Sequence, residues 1–119
     1  MSGRKPPRRR LSNTPMRSEL LVLVAARFKA LSEPVRLRIL SALRGGELTV
    51  GQLVEETGLG QANVSRHLQV LHTLGFARRR RDGPFVYYAL ADRRVFQLCD
   101  IMCGQLEMET KARRKLLAG

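Results

Sequence analysis

Apolar residues recur along this chain at helical spacing in some stretches and in short aromatic and β-branched runs in others, and the two patterns predict different elements. From Ser18 to Leu31 the sequence SELLVLVAARFKAL is apolar on more than one face of a helix. A surface helix has no need of so broad an apolar surface, so something outside its own domain core is expected to cover it. Val35, Leu37, Ile39, Leu40 and Leu43 give a second helix its inner face, with Ser32 or Glu33 as cap and Pro34 in the first turn. Gly45-Gly46 closes that helix. Glu47-Leu48-Thr49-Val50 then reads as a short extended piece. Thr49, with Gln52 three positions later, has the form of a capping box opening a third helix that runs to about Thr57.

After the tight turn Gly58-Leu59-Gly60 a fourth helix is expected from Gln61 to about Leu74. Val64, His67, Leu68, Leu71 and Leu74 share its inner side, while Ala62, Arg66, Gln69 and Thr73 face the other way, with Asn63 and Ser65 on the flanks. Gly75 stops it. Phe76 to Arg81 and Phe85 to Leu90, joined by Asp82-Gly83-Pro84, predict a β-hairpin. Asp92 can cap a last helix running to about Leu117. The architecture implied is mainly helical with one hairpin. Two short helices joined by a glycine turn, the second with a polar outer face, form a helix-turn-helix, and the hairpin behind it makes a winged helix.

Charge turns that architecture toward a polyanion. The 119 residues carry 22 Lys and Arg against 10 Asp and Glu, a formal net charge of +12. Four arginines are consecutive at Arg78 to Arg81, on the first hairpin strand, where a chain needing only solubility would intersperse the signs. Six basic residues in the first 17, broken by prolines, predict a disordered basic arm over residues 1–17 ahead of a single domain over residues 18–117. Lys111, Arg113, Arg114 and Lys115 form a further cluster near the end, which a solvated face explains as well as phosphate contact does.

Composition excludes several alternatives. The longest uncharged apolar run, Leu20 to Ala26, falls far short of the roughly 20 residues that span a bilayer, so no membrane role is expected. Arg8-Arg9-Arg10 ahead of that run loosely resembles a twin-arginine leader, but Arg27 and Lys29 follow at once and the helical periodicity continues. Cys99 and Cys103 cannot form a secreted disulfide framework or a zinc ribbon, which points to a cytoplasmic chain with reduced thiols. No nucleophile has an evident base and no phosphate-binding glycine loop is present, so catalysis is not expected.

Double-stranded DNA is therefore the expected partner. Gln61, Asn63, Ser65, Arg66 and Gln69 are the candidate base-reading residues, since Arg66 can pair with guanine and Asn63 or Gln61 with adenine. Arg80 and Arg81, nearest the hairpin turn, are the candidates for phosphate or minor-groove contact, with strand alternation sending two of the four arginines to each face. His67 falls on the inner side and is expected to be packed and hydrogen-bonded rather than a ligand. His72, five residues on, cannot share its face. An architectural DNA-coating protein without an operator fits the same features and differs by equal affinity for random and palindromic duplex.

The blocks Ala30-Leu31-Ser32-Glu33-Pro34-Val35-Arg36-Leu37-Arg38-Ile39-Leu40, Glu47-Leu48-Thr49-Val50-Gly51-Gln52-Leu53, Val64-Ser65-Arg66-His67-Leu68-Gln69-Val70-Leu71, Gly75, Arg81-Asp82-Gly83 and Val86-Tyr87-Tyr88-Ala89-Leu90 occur in this order. Together, over about residues 18–117, they resemble the ArsR/SmtB family of bacterial winged-helix transcriptional repressors. The resemblance implies a homodimer through the first and last helices, seated on a palindromic operator and released by an inducer. Leu21, Val24 and Phe28, with Val95, Leu98, Met102 and Leu106, are the interface residues this implies, and a partner there would cover the apolar first helix. Two positions depart from the family's habit: Gly60 where Ser is common and Pro84 where a basic residue is common.

The inducer sites such repressors carry match this chain poorly. A thiolate pair on the third helix would fall within Val50 to Gly58, where no cysteine occurs. Of the positions matching the last-helix zinc site only Asp92 keeps a ligand, with Arg94, Gln105 and Met108 at the others. Cys99 and Cys103 remain, one helical turn apart beside the apolar stripe. Facing a symmetry mate, they would gather four sulfurs able to take arsenite, antimonite or another thiophilic metal, or to oxidise across the dimer. Equally, each can be a small buried hydrophobe at a helix interface.

Overall fold

The computed structural model describes residues 15–118. Most of the basic arm expected over residues 1–17 lies outside the described residues. The element order is α1 (Ser18–Leu31), α2 (Pro34–Ala42), β1 (Leu48–Thr49), α3 (Val50–Thr57), α4 (Gln61–Thr73), β2 (Ala77–Asp82), β3 (Phe85–Leu90) and α5 (Val95–Ala118). This is the winged helix-turn-helix expected from the sequence.

The core sits where α2, α3 and α4 meet the sheet. Ile39, Leu40, Leu43, Leu53, Val64, Leu68 and Leu71 are fully buried there. Each such side chain contributes about 1.5–3 kcal/mol relative to exposure, so the packing of α4 on α2 and α3 is what fixes its orientation. Ala77, Tyr88 and Leu90 close the core from the sheet, and Val95 and Phe96 close it from the start of α5. The sheet is antiparallel in the order β1-β3-β2, with Leu48 opposite Tyr88, Thr49 opposite Tyr87, and the arginine strand registered from Ala77 opposite Leu90 to Asp82 opposite Phe85.

Local chemistry explains the boundaries. The capping box is formed: the Gln52 N–H donates to Thr49 Oγ1 at 3.1 Å and the Thr49 N–H to Gln52 Oε1 at 2.9 Å. Gly75, at φ 83°, ends α4, with the Phe76 N–H donating to the Leu71 carbonyl at 2.8 Å and the Gly75 N–H to that of His72 at 3.1 Å. These are the two bonds of a Schellman stop, and they swing the chain from α4 directly into β2. Neither Ser32 nor Glu33 caps α2 by its side chain; the Ser32 hydroxyl donates back to the Lys29 carbonyl at 2.6 Å. The last turn of α2 tightens into a 3₁₀ turn over Leu43–Gly45 before Gly46. At α5 the Asp92 carboxylate accepts the Arg94 N–H at 2.9 Å in a turn that precedes the helix, which begins at Val95.

Val95 differs from its assignment to an interface stripe. As the first residue of α5 it lies where the helix leaves the end of the sheet, and it is buried in the subunit's own core. The exposed apolar residues of α5 begin at Leu98 and continue through Ile101, Met102 and Leu106. On α1, Leu20, Leu21, Val22, Leu23 and Phe28 are exposed, Val24 is half-buried and only Ala30 is buried. No helix among the described residues is long and apolar enough to cross a membrane.

Candidate nucleic-acid interface

The expected base-reading residues lie on α4. Its inner side is anchored by Val64, His67, Leu68 and Leu71, all buried, which leaves Gln61, Asn63, Ser65, Arg66 and Gln69 exposed on the outer surface. Arg66 Nη2 donates to Asn63 Oδ1 at 2.6 Å, so these two candidates form one ordered unit one turn apart. Asn63 uses one lone pair of Oδ1 on this bond and keeps the other along with its amide donors, and Arg66 keeps its remaining donors for a partner.

Behind that face His67 is held by a residue that the sequence pattern did not single out. Arg36 of α2 donates through Nε to His67 Nδ1 at 3.2 Å and through Nη1 to the Ala30 carbonyl at the end of α1, at 3.1 Å. An Nδ1 that accepts belongs to a neutral imidazole carrying its proton on Nε2. Burial, and secondarily the charges of Arg36 and Arg66, hold the His67 pKa below its ordinary 6.5, against a smaller opposing effect of Glu33. Arg36 thereby ties α1, α2 and α4 at one point. The other histidine, His72, places Nδ1 3.2 Å from the Ala77 carbonyl at the start of the wing.

The wing arginines separate by face. Ala77 is buried against the core, so Arg79 and Arg81, two and four residues on, project from the helix side of the sheet, alongside Val86 and Tyr88. Arg78 and Arg80 project from the other side. Arg80 is engaged there: it makes a two-point ion pair with Glu47, lies 3.5 Å from Asp82, and sets its guanidinium 4.6 Å from the Tyr87 ring centroid. The pair holds the Glu47 carboxyl below and Arg80 above their ordinary pKa values. Arg81, the second expected contact, is exposed and lies on the opposite face, with Arg79 beside it. Arg79 was legible in principle, since alternation from the buried Ala77 pairs it with Arg81.

On α5, Cys99 is half-buried against the core and Cys103 is exposed. Asp92 is occupied by Arg94, whose guanidinium approaches to 2.7 Å, and the Arg94 side chain and N–H hold its carboxyl down at about 2. Among the described residues no three His, Cys, Asp or Glu side chains converge within the subunit.

The sequence profile described as "Bacterial regulatory protein, arsR family" matches residues 33–79, which run from the cap of α2 into the arginine strand. The regulator NmtR of Mycobacterium tuberculosis is 40% identical over 100 residues, covering 84% of this chain and 79% of the relative. This chain belongs to the ArsR family of transcriptional repressors. A Streptomyces lividans relative named "Probable mercury resistance operon repressor" is 41% identical over 71 residues, 60% of this chain and 57% of that protein. The homodimeric winged helix-turn-helix DNA-binding domain of Mb0332 from Mycobacterium bovis superposes with a TM-score of 0.70 at 30% identity, covering 84% of this chain and 95% of that one.

Proposed function

We propose that this ArsR-family repressor acts as a homodimer on a palindromic operator and releases it when a thiophilic metal or metalloid, or an oxidant, reacts at Cys99 and Cys103. The observation that carries the DNA half is the outer face of α4, where the Asn63–Arg66 unit and Gln61, Ser65 and Gln69 stand exposed on a helix whose other side is locked into the core. Arg66 is the candidate for guanine, and Asn63 or Gln61 for adenine, each good pairing contributing about 1–3 kcal/mol of discrimination. The dimer is supported by the exposed apolar side chains of α1 and α5, which a second copy would cover, and by the homodimeric neighbour.

The inducer half rests on Cys103. Packing within the subunit accounts for Cys99, which touches the core, but not for an exposed thiol one turn further along a helix that the dimer reading brings against its mate. Soft thiolates in such a group select arsenite, antimonite or mercuric ion over harder cations. Operator binding to the region upstream of the protein's own gene, followed by mobility shift with and without arsenite or peroxide, tests this. Release in the wild type and persistence in a Cys99→Ser, Cys103→Ser double variant is the expected result. Unchanged release in the variant would overturn the thiol mechanism, leaving the two cysteines as packing residues and the repressor intact.

A further inference from the structure

The three-stranded sheet supports the wing over only part of its length. β1 contributes Leu48 and Thr49 opposite Tyr88 and Tyr87, whereas β2 and β3 continue past that point to Asp82 and Phe85 as a two-stranded ribbon. A two-stranded ribbon is marginal alone and its twist is soft. Glu47 precedes β1, and antiparallel alternation puts it on the same face as Thr49, Tyr87, Ala89, Arg78 and Arg80. From there it reaches across the small side chain of Ala89 on the central strand to Arg80 on the far one, and the Arg80 guanidinium lies over Tyr87 between them. The two outer strands are thus tied together over the middle one, where the third strand ends.

We infer that Glu47, Arg80 and Tyr87 form a positioning clamp that sets the pose of the wing, so that Arg79 and Arg81 on the opposite face make the wing's phosphate contacts while Arg80 makes none. The inference rests on the DNA-binding reading above. Its geometry explains why a carboxylate stands beside the wing of a strongly basic protein: the guanidinium it holds is engaged by Glu47, Asp82 and the Tyr87 face, on the side of the sheet away from Arg79 and Arg81.

The sign of one substitution separates this role from simple charge. Deleting a negative charge beside a DNA-binding surface strengthens phosphate binding if charge alone matters. The clamp predicts the opposite. Titration of a mixed-sequence duplex, at salt concentrations from about 50 to 200 mM, is expected to show Glu47→Gln binding about 3–10-fold more weakly than wild type with the same log–log salt slope. Arg80→Ala should behave likewise, whereas Arg79→Ala or Arg81→Ala should each lower the slope by about 0.9 per subunit. Amide hydrogen exchange of the DNA-free protein supplies a second reading, with faster exchange across residues 79–86 expected in Glu47→Gln and Arg80→Ala. Tighter binding by Glu47→Gln, a shallower slope in Arg80→Ala, or unchanged wing exchange would each overturn the clamp. A wild type that bound no duplex even at low salt would instead remove the DNA-binding reading, and the exchange measurement would still decide whether the clamp orders the wing.

Discussion

Replacing Gly75 by alanine tests the link between α4 and the wing. Gly75 sits at φ 83° in the turn whose two hydrogen bonds close α4, and the next residues enter β2. An L side chain in that left-handed region costs about 1–2 kcal/mol. A Cβ there would also lie 3.2 Å from Arg27 Nη1. That atom is the far end of an exposed, flexible side chain, so it can move aside, at the expense of its stacking on Phe76, where the guanidinium lies 5.8 Å from the ring centroid. The backbone therefore dominates the cost. For a domain of this size each kcal/mol shifts the melting temperature by about 4–8 °C, which gives an expected drop of about 5–15 °C. Circular dichroism melts at matched protein concentration measure it, since a dimer's melting point depends on concentration. Gly51→Ala is the control: its Cβ would meet only Thr49 Oγ1, at 3.9 Å, inside a helix, where alanine is favoured by up to about 0.5–1 kcal/mol. If Gly75→Ala melted within about 2 °C of wild type, the turn would be carrying no conformational constraint and the rigid coupling of α4 to the wing would fail with it.

If Arg81 of each subunit in the proposed dimer contacts one phosphate, the affinity deficit of Arg81→Ala should shrink by about 12-fold when salt is raised fourfold; a deficit independent of salt in a duplex titration would refute the assignment. Thr49→Ala removes the bond that Thr49 Oγ1 accepts from the Gln52 N–H, while the backbone N–H at position 49 keeps its acceptor on Gln52, and should cost about 1 kcal/mol in denaturant unfolding; no measurable cost would mean that water replaces the cap at no loss. His67 titrates below 6.5 in the folded protein, so the unfolded chain binds the extra proton first as the pH falls. Its stabilising effect is complete above about pH 7 and declines below that, and His67→Gln should flatten the unfolding free energy measured from about pH 7 to 5. A variant with the same slope as wild type would place the acid sensitivity elsewhere.

The helices were legible because their signals are local. The capping box at Thr49 and Gln52, the Gly75 stop, and the inner-face spacing of Val64, His67, Leu68 and Leu71 each depend on residues within one or two turns, and the structure contains all of them. The polar outer face of α4 followed from the same periodicity. The wing's alternation was equally local, but which face met the core was not, because that depends on Ala77 and Leu90 packing against a helix. Proximity to the turn pointed to Arg80 and Arg81 together, and the fold puts them on opposite sides of the sheet.

The order and spacing of apolar, capping and turn residues by themselves determined the succession of elements, the polar outer face of α4 and the membership in a repressor family. Tertiary structure alone decided which charges are free. Glu47 and Arg80 are 33 positions apart, as Arg36 and His67 are 31, and no periodicity along the chain relates them. It also drew Val95 into the core, since the end of the sheet closes over the first turn of α5. The division has a physical cause: helix and turn signals act over a few bonds, whereas an ion pair or a buried contact exists only once packing has brought distant strands within a few ångströms.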